Sequence, residues 1–323
     1  MTLRYSYVVA LTALSTTASA ADLQPVLKAP AAALDQQATG YVEIYSGFAK
    51  TRFSVTECVL GEGCESQSSR VNGWALGGAG RGNYWISRDV SVQIDAQAEG
   101  TSYNIPDGGG HSSIHSYLVG GHWSWRSPEQ YLFGLFAAAG DAGGSNTSQR
   151  HGVIGAEAQW YWNQFTFYGQ GGYDTTLGTI GNGVDSVNAW FIRGTGRYFI
   201  NPNFLIEGTV MYANGNIDSN ESGFSSIGFN TWTWGAKGEW RLPSSPFSVF
   251  AKYQGSETKF DTIFSDSNSV DIKVRDHRVL LGLKLHMGDR TLQQTDRAGA
   301  TLDIKSPLAD PSAPLMSGII GGI

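Results

Sequence analysis

Val90, Val92, Ile94, Ala96 and Ala98 alternate with Ser91, Gln93, Asp95, Gln97 and Glu99. A period of two puts the first set on one face of a strand and the second set on the other. The pattern returns along the chain and predicts strands at about residues 41–53, 71–86, 90–102, 113–125, 131–140, 151–162, 165–176, 187–200, 204–214, 229–241, 247–257 and 271–287. Each can supply the ~9–11 tilted residues that cross a bilayer. Connections at 87–89, 126–130, 163–164, 201–203 and 242–246 are short, whereas those at 141–150, 177–186, 215–228 and 258–270 are long. No helical set or second sheet is present to cover the apolar faces. The pattern therefore predicts an all-β fold, a closed antiparallel transmembrane β-barrel of about twelve strands, with ten to fourteen compatible. Its turns would be periplasmic and its long loops extracellular.

Aromatic residues gather beside the short turns. Trp85, Trp123, Trp125, Trp160, Trp162 and Trp240, with Tyr84, Tyr131, Phe165 and Tyr198, form the expected periplasmic girdle. Trp190, Tyr173, Tyr212, Trp232 and Trp234 would contribute to the outer one. Such rings settle where acyl chains meet headgroups, because the ring is apolar while its N–H or O–H stays wet.

The ends divide the chain. Arg4, the apolar run 5–14 and the small residues Ala18-Ser19-Ala20 predict an export signal over 1–20. Residues 21–39 read as a periplasmic lead broken by Pro25 and Pro30, residues 40–287 as the barrel, and residues 288–323 as a flexible periplasmic tail. Partner binding or docking in the lumen is the less favoured reading of that tail. Charged residues make up 15% of the chain against 12% aromatic, which argues against both disorder and a helical bundle. The formal charge is −6, or −7 once Arg4 leaves, and nothing in it suggests a nucleic-acid partner. Cys58 and Cys64 lie in a polar loop, and in an exported chain they are expected to form a local disulfide.

Ala18–Pro30 reads ASA-ADLQPVLKAP. Together with the alternating strands and the girdles, this start resembles the porin-like outer-membrane β-barrels of Gram-negative bacteria, of the alphaproteobacterial type. The resemblance implies the cell outer membrane, with lipid and lipopolysaccharide as surroundings, small solutes as cargo, and a monomer or a trimer.

With the apolar rows facing lipid, the opposite rows point Glu43, Asp95, Glu99, Glu157, Glu207 and Glu239 inward, with Arg81, Arg193, Arg197, Lys237, Lys252, Arg278 and Lys284. An Arg or Lys facing lipid at mid-membrane costs about 2–4 kcal/mol, which fixes that parity. The parity is ambiguous over 131–140, where both faces are apolar. The basic residues of 193–252 and the acidic residues of 43–157 would form opposed sectors and a transverse field. The structural alternative is that Arg197 pairs with Glu207 and Lys252 with Glu239, so that the side chains simply fill the barrel. Twelve strands are expected to leave a narrow passage, unless loops or tail occupy it. The function so read is a porin-like channel for passive diffusion of small polar or charged solutes. A non-conducting barrel that recognises a partner through its outer loops is the alternative. No enzyme, cofactor or metal site is expected. His111-Ser112 and His115-Ser116 are strand neighbours that point to opposite faces, and no G-x-S-x-G occurs.

Overall fold

The computed structural model describes residues 37–59, 61, 63–104, 111–144, 148–178, 184–219, 226–261, 263–265 and 268–309. The expected export signal and most of the lead lie outside the described residues. Twelve long strands form the wall: β1 (Ala38–Val59), β2 (Gly63–Trp85), β3 (Val90–Asn104), β4 (His111–Ser127), β5 (Tyr131–Gly143), β6 (Ser148–Trp162), β7 (Phe165–Thr176), β8 (Val184–Asn201), β9 (Phe204–Ser219), β10 (Ile227–Arg241), β11 (Phe247–Phe260) and β13 (Asn268–Met287). The short β12 (Ile263–Ser265) adds only to β13. Each strand pairs antiparallel with the next, and β1 closes on β13 from Gly40↔Met287 to Val59↔Asn268. Closure leaves no open sheet edge among these twelve, as a lipid environment requires.

Burial alternates as the sequence predicts. Ile44, Ile94, Leu135, Ile154, Ile192 and Leu281 are each more than 60% exposed, whereas Ser91, Gln93, Asp95, Gln159 and Arg278 are buried. Such inversion is stable only where the exposed face meets hydrocarbon. The girdle is present at Trp123, Trp125, Trp160, Trp162 and Trp240, all turned outward. Trp85 is the exception. It is 5% exposed and faces inward, and its neighbour Tyr84 takes the outward position. The strands β1 and β2 reach well beyond the expected ends of 53 and 71, so the cysteine segment is no loop. Cys58 and Cys64 face each other as paired strand positions and are disulfide-bonded near the tip of a long hairpin.

The main departure from expectation follows β13. Residues 288–309 are not a free periplasmic tail: they turn into the barrel, as α1 (Leu292–Ala298) and then an extended stretch. Leu302 and Ile304 are 0% and 2% exposed, burial that a solvated tail could not provide. Alternation in Thr301-Leu302-Asp303-Ile304 matches a wall that offers both apolar and charged partners, and that match decides the location.

Candidate functional site

The candidate site is the lumen together with the segment it holds. At the periplasmic mouth Thr291 caps α1, its hydroxyl accepting from Gln294 N at 3.0 Å. Leu292 packs on inward Phe199 and Leu205, and Gln293 N donates to Pro202 O in the β8–β9 turn. Trp85 Nε1 donates to Ala298 O at 2.9 Å. Arg126, lying 4.5 Å from the Trp85 ring, donates to Gly299 O at 2.9 Å and to Asn83 Oδ1 at 2.6 Å. These groups make a floor under the segment. Beside it, burial raises the Asp289 carboxyl to about 6, against the smaller opposing pull of Thr295, Arg126 and Arg241.

Above the floor the segment climbs the inner wall. Gln93 pairs with Leu302 in both directions, donating to its carbonyl at 2.8 Å and accepting from its N–H at 3.2 Å. Leu302 enters a pocket of Leu132, Tyr161 and Tyr168. Ile304 enters a second one that includes Leu118, Phe136, Val153, Phe191 and Met211. Gly120 makes room there, since a Cβ at that position would lie 2.5 Å from Ile304 Cδ1. Leu308 ends the climb against Val187, Ile217, Phe229 and Phe260, toward the long-loop end. The chain thus passes from one mouth of the barrel toward the other.

Two arginines on β8 hold the polar side of this segment. Arg193 grips Asp303 with both amino groups, at 2.8 and 3.1 Å, and Gln170 donates to Asp303 O at 2.6 Å. Arg197 donates to Asp296 at 2.6 Å, whose other oxygen accepts from Thr166 at 2.5 Å. The Tyr168 ring lies between the two guanidinium groups, 5.3 Å from Arg193 and 5.4 Å from Arg197. The Arg193–Asp303 pair is bidentate, which fixes register, and removing one partner of a buried pair costs about 3–5 kcal/mol. His122, on β4, lies between Glu157 at 2.6 Å and Asp95 at 3.3 Å.

The remaining predicted charges, Lys252 apart, pair along the wall. Arg81 meets Asp95 at 3.5 Å, Arg278 meets Glu99 and Asp276, and Lys284 meets Glu239 at 2.9 Å and Glu43 at 3.2 Å. Lys237 lies 3.4 Å from Glu239 and 3.8 Å from Glu207. Arg197–Glu207 forms as the structural alternative expected, at 2.8 Å, but Glu239 takes Lys284 and Lys237 in place of Lys252. Neighbouring strands carry opposite signs, so the charges neutralise locally and the expected opposed sectors do not arise. Beside the segment, on β1, β3, β9 and β10, Glu43, Glu99, Glu207 and Lys237 keep 15–20% side-chain exposure inside the barrel.

Sequence reasoning found the charged residues and missed their partner. The missed signal is apolar: Leu118, Leu132, Phe136, Val153 and Met211 point inward, where a water-filled lumen would leave them wet. Ser306 was also missed. It bonds Asp174 and lies 3.3 Å from His151 Nδ1, which is itself 3.0 Å from Asp174. Both partners share the one ring nitrogen, so this group cannot relay a proton from serine through histidine to aspartate.

No family model matches the chain, and no curated protein matches it either. Solved structures do. A crystallised outer membrane channel from Pseudomonas putida F1 superposes with a TM-score of 0.53 at 11% identity, over 82% of this chain and all of that one. A Pseudomonas aeruginosa FadL homologue gives 0.40 at 8%, over 78% and 90% of the two chains. The outer membrane protease OmpT of Escherichia coli gives 0.34 at 12%, over 77% and 97%. At these identities the likeness is one of fold. Closed barrel, girdles and likeness agree on an integral β-barrel of the outer membrane.

Proposed function

We propose that the protein is a channel for passive diffusion of small polar or charged solutes, porin-like in its transport, and that its own C-terminal segment closes it. The observation that carries this reading is the strip of inward charges left partly accessible beside the segment, at Glu43, Glu99, Glu207 and Lys237. A barrel filled for stability alone gains nothing from keeping ionised groups wet at membrane depth. Twelve strands enclose more space than side chains fill, and the segment takes up the excess by non-covalent contacts that can be released. Solutes move down their gradients, with lipid and lipopolysaccharide meeting the outward rows. The shared nitrogen in the His151–Asp174–Ser306 group supports a non-enzymatic role. The depth of burial of Leu302, Ile304 and Leu308 favours a second reading, a permanently filled and non-conducting barrel.

Planar-bilayer recording separates the two. Full-length protein is compared with the Asp296→Asn/Asp303→Asn variant, after a heat-modifiable gel shift has shown both to be folded. Stepwise conductance that is rare in the parent and frequent in the variant is expected. Folded barrels that stay silent in both forms would leave the non-conducting reading in its place.

A further inference from the structure

We infer that Arg193 is the recognition point of a binding site for organic carboxylates that carry an apolar body, and that Asp303 occupies this site in place of such a solute. The inference rests on the closing role given above to the C-terminal segment. Arg193 differs from the cations that pair along the wall in what the wall supplies to it. Arg81, Arg197, Arg278 and Lys284 each have a carboxylate on a wall strand. Among the described residues, the ion pair of Arg193 is with Asp303 alone, and its wall contacts, Gln170 Oε1 at 2.9 Å and Thr209 Oγ1 at 3.3 Å, are neutral. When the segment leaves, Arg197 keeps its ion pair with Glu207 and Arg193 keeps no ion pair. A guanidinium that is 5% exposed, stacked near Tyr168 and oriented by Gln170, is a prepared fork for a carboxylate.

The flanks of the site define the rest of the ligand. On either side of Asp303, Leu302 and Ile304 fill pockets of aliphatic and aromatic residues. Emptied, these pockets would favour an apolar group over water, at about 25 cal/mol per Å² covered. A small hydrophilic acid such as acetate satisfies Arg193 and leaves them unused. An aromatic or branched aliphatic acid satisfies both. Because the solute and Asp303 cannot hold Arg193 together, such an acid binds only the barrel whose segment has let go. It therefore shifts the chain toward release by a factor of 1 + [L]/Kd.

Ala300 is 1% exposed within the segment, and the described residues contain no free cysteine, so Ala300→Cys reports release through its labelling rate with a charged methanethiosulfonate. The full-length protein in liposomes is labelled with benzoate, benzamide or acetate present. Benzoate at ten times its Kd should raise the rate about tenfold, while benzamide and acetate leave it nearly unchanged. Arg193→Gln should raise the basal rate and abolish the benzoate response. Asp303→Asn keeps the arginine and should move the response to at least tenfold lower benzoate. Equal effects of benzoate and benzamide overturn the proposal, as does a benzoate response that survives Arg193→Gln. The readout needs no ion flow. Silent bilayers with an intact benzoate response remove the channel reading alone, and conduction without that response removes this site alone.

Discussion

Truncating Leu302 and Ile304 together to alanine tests whether the segment is held by packing. The two side chains are 0% and 2% exposed and belong to separate clusters that share no member. Each truncation removes buried methyl groups and leaves a cavity, at about 2–5 kcal/mol for Leu or Ile to Ala. Taken as independent, the two weaken docking by about 4–10 kcal/mol. At about 1.4 kcal/mol per factor of ten, even the lower figure raises the ratio of released to docked segment by about 10³. The wall ladder is untouched, because none of its backbone pairs involves residues beyond Met287. The assay is thiol labelling at Ala300→Cys in folded, reconstituted barrels, in the parent and in the double variant. Labelling should accelerate by about three orders of magnitude, or until it reaches the rate of a free thiol. An acceleration below tenfold, with the gel shift unchanged, would mean that the pockets contribute little and that polar contacts carry the docking.

Other consequences are simpler to read. Asp289 titrates near 6 in the folded protein, above its unfolded value of 3.8. The folded state therefore holds the proton more tightly, and stability falls as pH rises from about 4 to about 6 and is level above. Asp289→Asn should remove that slope from segment release and make release at pH 7.5 rarer, by labelling at Ala300→Cys across pH. Ile94 is 66% exposed on the lipid face, so Ile94→Arg should cost about 2–4 kcal/mol in a urea titration of folding into bilayers. Gln93→Arg should leave the bilayer fit alone and disturb the lumen, through its two bonds to Leu302 and its bond to Asp95. Cys58→Ser/Cys64→Ser should loosen the hairpin tip by about 2 kcal/mol, seen as faster amide exchange over 54–68, with heat-modifiable migration unchanged.

Period-two alternation made the wall legible. Strands β3 and β7 begin where the pattern places them, and the short turns mark the periplasmic side because few residues can reverse a strand there. The long-loop ends were less legible. Beyond the bilayer no lipid enforces alternation, so β1 and β2 continue as a polar hairpin that sequence reads as loop. Trp85 was misplaced because aromatic clustering near a turn gives depth and not direction. Parity would have turned it inward with Asn83. Residues 288–309 escaped because their partners are scattered over most of the barrel's strands, and a local pattern cannot report contacts at sequence separations of 99 to 209 residues such as Arg197–Asp296 and Gln93–Leu302. Leu132 and Phe136 carried the one usable hint, as greasy positions on a row that water was supposed to wet.

The threaded segment also bears on how the barrel assembles. It follows β13 directly and enters from the mouth at which that strand ends. None of the seam bonds between β1 and β13 involves it, so the wall can close at its side before the axis is filled. Closing the wall and filling the lumen are thus separable steps, and only the second depends on Leu302 and Ile304 finding their pockets.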